Sequence, residues 1–385
     1  MSHAVLSPSA ASRWLVCTPS ARLELQFSDD AGDYAKEGSL AHEFGEAFIK
    51  GRTGAVRESE LEQWLDKLRS QEFYEPDMER YAEDYADLVY EKYLSARHAT
   101  CDAIIRIEEK IDLTGYAPEA FGTGDAIIIA DGTLEIIDLK YGKGVRVSAV
   151  NNKQMMLYAL GALDMFGYLY AIDTVRMTIY QPRIDNVSEF ELRASDLLEW
   201  GEKELKPRAA MAFKGEGDMS PGGHCRFCKA KARCRALAEL RMQQAEHEFK
   251  DAELLTDEET AAILEAADGI KNWISAVEEH ALKAALDGKK YPGFKLVEGR
   301  SIRKYADEKK VAEVLIANGF AQNVIYEAPK LKTITSMEKL LTKKTFGVLL
   351  GEYVIKPQGK PVLVPDSDKR QEWSCAENDF KNVNV

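Results

Sequence analysis

Two aspartates and a lysine lie at the ends of two short apolar segments of the chain. Asp125 begins the first segment, and Asp138 and Lys140 lie at the end of the second. Asp131-Gly132 between them is a strong signal for a two-residue turn, so the sequence predicts a β-hairpin. Counting outward from this turn brings Asp125 close to Asp138, and a spacing of two places Asp138 and Lys140 on one face of their strand.

Two carboxylates that converge at the end of a sheet offer hard oxygen ligands, which suit Mg²⁺ or Mn²⁺. A lysine beside them does not bind metal, but it can orient or help deprotonate a water molecule, or balance the charge of a phosphate. The alternative is that all three are ordinary surface charges at strand ends, which is the better interpretation of an isolated Asp-x-Lys. Glu108 and Glu109 precede the hairpin, and whether one of them faces the same site or solvent is open.

Three cysteines lie close together in the segment GGHCRFCKAKARC, at Cys225, Cys228 and Cys234. Thiolates two residues apart can bind one metal ion or one cluster from a tight turn. Zinc sites more often use two closely spaced pairs, whereas this chain has one pair and single cysteines, which favours an iron–sulfur cluster. Zn²⁺ is the alternative, and His224 could then replace one of the cysteines.

The elements that must position these residues follow from hydrophobic periodicity and from turn signals. We predict helices over 37–50, 58–69, 77–97, 149–167, 195–213 and a long helical stretch over 231–286. We predict strands over 103–109, 125–130, 133–139, 174–181 and 187–193. This order predicts an α/β (α+β) fold in which a mixed sheet is flanked by helices.

The 385 residues are enough for two domains, and charge is distributed unevenly along them. The net charge is −13, yet residues 289–385 hold 18 Lys+Arg against 12 Asp+Glu. The acidic total argues against a nucleic-acid partner, but a basic C-terminal region could attract phosphate locally. We expect a cytoplasmic protein without membrane contact, because no apolar run could span a bilayer and the N-terminus lacks the signal-peptide pattern.

The segment GTGDAIIIADGTLEIIDLKYGKG resembles two motifs of the RecB-like branch of PD-(D/E)XK nucleases, which run from Gly-x-x-Asp through two strands to Asp-x-Lys. The next segment, NNKQMMLYALGAL, resembles the Gln-x-x-x-Tyr signature of that branch, here Gln154 and Tyr158. Upstream, EGSLAHEFGE resembles its Gly-x-x-x-His helix, here at His42. The motifs occur in the order of the family, so the resemblance implies a restriction-endonuclease-like fold.

The resemblance also implies a role for each motif residue. The implied ligands of Mg²⁺ or Mn²⁺ are His42, Asp125, Asp138 and the carbonyl group of Leu139. Lys140 would position the attacking water or balance charge in the transition state. Gln154 and Tyr158 would contact the DNA backbone or the groups that surround the metal.

The N-terminal segment SPSAASRWLVCTPSARL resembles the opening of iron–sulfur nucleases such as AddB and the CRISPR-adaptation nucleases. In those proteins one N-terminal cysteine joins three late cysteines around a structural [4Fe–4S] cluster, which holds the two ends of the nuclease domain together. The resemblance therefore implies that Cys17 completes the ligand set of the cysteine-rich segment. We expect Cys101 and Cys375 to be ordinary thiols.

Nearly the whole chain resembles a phage-encoded family of uncharacterised proteins, which implies a role in phage or prophage DNA recombination or replication. We expect a metal-dependent DNA nuclease, most simply an exonuclease. The chain has no P-loop, so a phage helicase, annealing or single-strand-binding protein is a candidate partner. A non-catalytic DNA-binding relative and a zinc-stapled scaffold for a phage replication protein are the alternatives.

The chain divides into three predicted segments. These are a nuclease domain with its cluster over 1–240, a helical connector over 241–288, and a basic α+β unit over 289–385. In the last unit, Arg300, Arg303 and Lys304 could contact phosphate. A solvated strand–helix face is an equally good interpretation of these cations.

Overall fold

A five-stranded mixed sheet forms the centre of the part of the chain that the structure describes. The computed structural model describes residues 4–27, 33–142, 144–245 and 256–294. The strands are β1 (Ile104–Asp112), β2 (Phe121–Ala130), β3 (Gly132–Leu139), β4 (Ile172–Gln181) and β5 (Asn186–Arg193). They lie in sequence order, with β3 and β4 parallel and the other neighbours antiparallel. The predicted mixed sheet is confirmed.

Helices flank this sheet on both faces. The helices before it are α1 (Ala11–Trp14), α2 (Ser20–Leu23), α3 (Asp33–Arg52), α4 (Glu58–Arg69) and α5 (Pro76–Ala99). A parallel strand pair needs a crossover connection, and α6 (Lys153–Phe166) supplies it between β3 and β4. The helices that follow β5 are α7 (Ala194–Trp200), α8 (Lys206–Lys214), α9 (Arg235–Ala245) and α10 (Asp257–Leu286).

The sheet separates two apolar cores. Ile127 of β2 packs in one core with Leu157 of α6. Its neighbour Ile128 packs in the other core with Phe44 of α3 and Tyr85 of α5. Because successive strand residues face opposite sides, a strand buried on both sides is apolar throughout, which explains the run of isoleucines in β2.

Three predicted helices differ from those in the structure. The stretch predicted over 231–286 begins at Arg235 and is described as α9 and α10, while residues 246–255 between them lie outside the described residues. The helix after the hairpin was predicted to begin at 149, but it begins at Lys153 because the side chain of Asn152 accepts hydrogen bonds from the backbone N–H groups of Gln154 and Met155. The helix predicted over 195–213 is two helices joined by a π-helical turn at Gly201–Leu205.

The chain divides into two compact units, Met1–Lys283 and Ala284–Val385. Only residues 284–294 of the second unit are described. The predicted phosphate contacts Arg300, Arg303 and Lys304 therefore lie outside the described residues. Among the helices that the structure does describe, none combines the length and the hydropathy of a membrane span.

Candidate functional site

Three acidic residues lie side by side at one place in the sheet, and we call them the acidic row. The paired residues on either side of Glu108 in the β1–β2 ladder place Glu108 opposite Asp125. The β2–β3 ladder, continued one step beyond Ala126 and Ile137, places Asp125 opposite Asp138. Strand register therefore brings three carboxylates from three neighbouring strands together, with side chains of neighbouring strands about 5 Å apart.

The alternation of faces breaks at the acidic row. Ala126 packs on the side of α3 and α5, whereas a Cβ atom at Gly124 would lie 3.0 Å from Ile111, which belongs to the core on the α6 side. Residues two apart on a regular strand share a face, so β2 is distorted at Asp125. On the opposite strand Glu108 has a φ of +50°, a left-handed conformation that costs a residue other than glycine about 1–3 kcal/mol.

Helix α3 adds a histidine to the acidic row. Leu40 and Phe44 pack the helix into the core on that side of the sheet. His42, which lies between them in the sequence, is only partly buried. Nδ1 of His42 lies 3.3 Å from Oδ1 of Asp125. One ligand atom each from His42, Glu108 and Asp125 lies within 4.8 Å of the others. An imidazole nitrogen and carboxylate oxygens at this spacing could hold one divalent metal ion.

Crowding and burial perturb the protonation of these groups. Burial raises the pKa of Glu108 to about 8, and the neighbouring charge of Asp125 adds to the rise. Burial opposes the charged form of His42, but attraction to Asp125 outweighs it and raises the pKa of the imidazole to about 9. Burial also raises the pKa of Asp138, although Lys140 acts against the rise. Carboxylates concentrated in this way favour a bound cation that offsets their mutual repulsion.

A connected set of polar side chains continues from Asp138 toward α6. Nζ of Lys140 lies 2.8 Å from Oδ2 of Asp138 and donates a hydrogen bond of 3.1 Å to Oε1 of Gln154. Nε2 of Gln154 donates to Oδ1 of Asp138 at 3.2 Å and to the hydroxyl oxygen of Tyr158 at 3.3 Å. Gln154 and Tyr158 can act together because residues four apart lie on one face of a helix.

The carboxylates of this set each have a polar partner. The side chain of Asp138 is buried, and its Oδ2 is paired with Nζ of Lys140 at 2.8 Å. The other carboxylate is held in place, because Oδ2 of Asp125 accepts a hydrogen bond of 2.7 Å from the backbone N–H of Leu139. Lys140 and His42 offset part of the negative charge of the acidic row, and a divalent cation held by the carboxylate oxygens would offset the rest. The donor set therefore fits a divalent cation.

The cysteine-rich segment and the N-terminal segment meet around one cavity. Its wall includes the four cysteines Cys17, Cys225, Cys228 and Cys234. The N-terminal segment also contacts the residues just before the cysteine-rich segment. The Thr18 hydroxyl donates to the carbonyl oxygen of Glu216 at 2.6 Å, and Sγ of Cys17 lies 3.9 Å from Sδ of Met219. The fold thus places a cysteine from near the start of the first unit beside three from a late segment.

The sulfur atoms of this cavity are not gathered around a single point. Four thiolates bound tetrahedrally at about 2.3 Å from one Zn²⁺ lie roughly 3.8 Å from each other. Within the described ranges, no group of three metal-binding atoms that includes a cysteine comes within 4.8 Å of one another. A cubane cluster requires wider spacing than zinc because each of its four iron atoms binds a different thiolate. As placed, the described thiols therefore form no site for a single metal ion, and this absence favours neither zinc nor a cluster.

Two further features of this cavity bear on what it could bind. Burial raises the pKa of the Cys225 thiol and raises that of Cys228 to about 12, so both are protonated in the absence of a metal. Nε2 of His224, on the same wall, is buried and has no hydrogen-bond partner among the described residues. Metal binding would release the thiol protons, as thiolate ligation requires.

Comparison with known families covers nearly the entire chain. The family described as "Protein of unknown function (DUF2800)" matches residues 3–371. The chain belongs to the DUF2800 family. Among solved structures, the crystal structure of SSO0001 is 14% identical over 50% of this chain and 85% of that chain, with a TM-score of 0.20. A TM-score this low carries no argument about the fold or the function of the DUF2800 chain.

The structure brings the motif residues of the first unit into one polar cluster. The predicted residues in it are His42, Asp125, Asp138, Leu139, Lys140, Gln154 and Tyr158. Of the two glutamates for which the site and solvent were both open, Glu108 joins the acidic row. No sequence signal could show this, because it depends on the register of β1 and on its distortion. Cys101 is exposed, and Cys375 lies outside the described residues.

Proposed function

We propose that this chain is a Mg²⁺- or Mn²⁺-dependent DNA nuclease, acting as an exonuclease in phage or prophage DNA recombination or replication. The observation that carries the proposal is the junction at Asp138, where the acidic row meets Lys140. The carboxylate of Asp138 is buried, and its Oδ2 lies 2.8 Å from Nζ of Lys140. A carboxylate that can bind a metal ion and an adjacent ammonium group together suit the hydrolysis of a phosphodiester.

The acidic row and α3 provide the candidate metal ligands. These are His42, Glu108, Asp125 and Asp138, with the Leu139 carbonyl group next to them in the chain. When bound, a divalent ion polarises the phosphoryl oxygen and lowers the pKa of a water ligand. The backbone N–H of Leu139 orients the carboxylate of Asp125, which leaves its Oδ1 on the side of His42.

Lys140 and α6 supply the remaining functional groups. The Lys140 ammonium has three N–H donors, of which one is used on Gln154 and one on Asp138. The third donor can hold the attacking water or a non-bridging phosphate oxygen, and the positive charge stabilises the transition state. Gln154 bonds both Lys140 and Asp138 and so fixes their relative positions. The Tyr158 hydroxyl accepts a hydrogen bond from Gln154 and could donate its own proton to the DNA backbone.

The cysteine cavity supports a second part of the proposal, a structural [4Fe–4S] cluster bound by four cysteines. Its support is the convergence of Cys17 with the three late cysteines around one cavity. When bound, the cluster would fix the N-terminal segment against the late segment. The zinc-stapled scaffold is the less favoured alternative, because zinc sites more often use two closely spaced cysteine pairs and this chain has one.

The test compares DNA digestion by anaerobically purified wild-type protein and by variants of the site. The substrates are end-labelled linear DNA and closed circular DNA, with Mg²⁺ or Mn²⁺. We expect Asp138→Ala and Lys140→Ala each to slow digestion of linear DNA by about 10²-fold or more. His42→Ala is expected to weaken metal affinity, with partial rescue by added Mn²⁺. Circular DNA that stays intact shows exonuclease action.

Asp131→Ala and Lys203→Ala are the matched controls, because both residues are exposed and lie away from the polar cluster. Both controls should digest DNA like the wild type. If folded Asp138→Ala protein digests DNA at the wild-type rate, the site lies elsewhere. If the wild type itself digests nothing but still binds DNA, the non-catalytic relative is the correct assignment.

A further inference from the structure

A second cavity borders the cysteine cavity and shares Cys225 with it, while the residues of the acidic row take no part in its wall. Its volume is about 460 Å³, which lies within the range of about 300–1,000 Å³ found for small-ligand sites. One wall is the turn that carries Cys225, and the other walls come from α9 and α10. The residues that could recognise a ligand are Arg226, Phe227, Lys231, Arg241, Asn272 and Trp273. We call this the cationic cavity.

Every charged side chain in the wall of the cationic cavity is positive. Arg226, Lys231 and Arg241 contribute to it, and no aspartate or glutamate does. This is the opposite of the whole chain, whose net charge is −13. Nζ of Lys231 donates to a backbone carbonyl oxygen at 3.1 Å rather than to a carboxylate. Three cations gathered without an acid attract an anion such as phosphate.

Arg241 is held in place more firmly than a surface arginine. A Cβ atom added at Gly269 of α10 would lie 2.6 Å from its Nη1, so the guanidinium lies against the helix backbone. Nη1 donates to Oε1 of Gln244 at 2.5 Å, while the buried Nε has no partner among the residues described. A buried guanidinium nitrogen without an acceptor is unfavourable, and an anion in the cavity could satisfy it.

Two aromatic side chains accompany the cations. Phe227 is 66% exposed, and its ring lies 5.7 Å from the guanidinium carbon of Arg226. Trp273 of α10 lines the same cavity, next to Asn272. Exposed aromatic rings among cations are the combination that binds nucleotides in single strands, because rings stack on bases and cations attract phosphates. The amide of Asn272 could pair with the edge of a base.

We propose that the cationic cavity binds one nucleotide unit, with its phosphate on the cations and its base on Phe227 and Trp273. The unit can come from a single strand or from a free nucleotide, since both present the same chemistry. The inference does not rest on the nuclease reaction, because the acidic row takes no part in it. Cys225 and Lys231 line both cavities, so whatever the cysteines bind also fixes the turn that carries Arg226 and Phe227.

The test is binding of a fluorescent single-stranded 10-mer of deoxythymidine to full-length protein, measured by anisotropy in EDTA. EDTA removes divalent metal and prevents digestion, so the result is independent of the acidic row. We expect Phe227→Ala and Trp273→Ala each to weaken binding about tenfold, as loss of one base–aromatic stack does. Arg226→Ala should weaken binding and reduce the slope of log affinity against log salt by about 1. Melting curves show whether a variant that has lost affinity is still folded. The Trp273→Phe variant keeps an aromatic ring and should keep most of the affinity.

Arg233→Ala and Tyr168→Ala are the matched controls. Arg233 is an exposed cation of the same segment outside the cavity, and Tyr168 is an aromatic residue that is 80% exposed elsewhere. Competition with thymidine monophosphate distinguishes a free nucleotide from a strand as the ligand. If the monophosphate displaces the 10-mer at a concentration equal to that of the 10-mer, the site binds free nucleotides. If the 10-mer stays bound, the site binds a strand. The inference is overturned if the controls lose as much affinity as the cavity variants. It is also overturned if folded cavity variants bind like the wild type, or if inorganic phosphate displaces the strand as well as the nucleotide does.

Discussion

At the scale of single residues, Glu108 combines two features that oppose stability. Its backbone has a φ of +50°, and its carboxyl group is buried beside another carboxylate, which raises its pKa to about 8. A structure that keeps both features at one position gives up stability for the arrangement of the acidic row. A substitution of Glu108 should therefore change the free energy of unfolding and the affinity for metal in opposite directions.

We predict that Glu108→Gly raises the free energy of unfolding by about 1 kcal/mol, because glycine adopts positive φ without strain. The same change should weaken Mn²⁺ binding, because one ligand is lost. Urea denaturation of the metal-free protein and calorimetric Mn²⁺ titration measure the two effects.

Glu109→Gly is the control for this prediction, since Glu109 is the neighbouring strand residue without positive φ. It should lower the free energy of unfolding by about 0.5–1 kcal/mol and leave Mn²⁺ binding unchanged. Equal destabilisation by the two glycine substitutions would show that the left-handed backbone at Glu108 carries no strain.

The positions of the two aspartates in the site could be predicted from the sequence, but the position of Glu108 could not. The Asp131-Gly132 turn fixes the register of β2 and β3, so Asp125 and Asp138 could be placed by counting. The connection between β1 and β2 runs from 113 to 120 and fixes no register that counting could recover. The change of face at Asp125 is a tertiary effect, and the alternation of apolar residues alone does not reveal it.

At the scale of elements, the closeness of α6 to the sheet decides where Gln154 and Tyr158 lie. A Cβ atom at Gly161 would lie 2.8 Å from the backbone carbonyl oxygen of Asp112. At Gly122 a Cβ atom would lie 2.6 Å from the ring of Tyr158. Glycine at both positions thus allows α6 to approach β1 and β2 more closely than a side chain permits.

We predict that Gly161→Ala lowers the free energy of unfolding by about 1–3 kcal/mol, because the methyl group must displace backbone. It should also reduce the rate of DNA digestion, since a shifted α6 moves Gln154 away from Asp138. Gly38→Ala in α3 is the control, because a Cβ atom there would meet nothing within 4 Å. That control should gain about 0.5–1 kcal/mol from its helical position. A Gly161→Ala protein as stable as the control would contradict close packing of α6.

The helices and strands were largely predictable, and their interruptions were not. The helix predicted over 58–69 is α4, and the hairpin strands are β2 and β3, because strong periodicity and a turn signal define them. The π-helical turn at Gly201–Leu205 is different, since its residues fit an ordinary helix by pattern. A Cβ atom at Gly201 would lie 2.9 Å from the ring of Tyr116, a contact that only the folded chain reveals.

At the scale of the whole molecule, the start of the first unit meets a late segment of the same unit at the cysteine cavity. We predict that Cys17→Ala removes iron and the visible charge-transfer absorbance, and that it lowers the melting temperature of the unit, because one ligand of the proposed cluster is lost. Cys101→Ala, which changes an exposed cysteine outside the cavity, should have none of these effects. Metal analysis and melting curves of anaerobic preparations measure the outcome. Stoichiometric zinc without iron in the wild type would instead establish a zinc site.

The basic segment after the first unit gives the last prediction. Residues 289–385 hold 18 Lys+Arg against 12 Asp+Glu, and the first unit ends at Lys283, so a chain that stops at residue 287 removes this charge and keeps the unit. We predict that the shortened chain keeps its iron content and melting temperature but binds DNA more weakly. The loss should be largest at low salt, because phosphate contacts release counterions most favourably there. Affinity measured across a salt series tests this, with the Arg226→Ala change made in both chains to separate the cationic cavity from the basic segment. Equal affinity of the two chains at every salt concentration would assign residues 289–385 to a protein partner rather than to DNA.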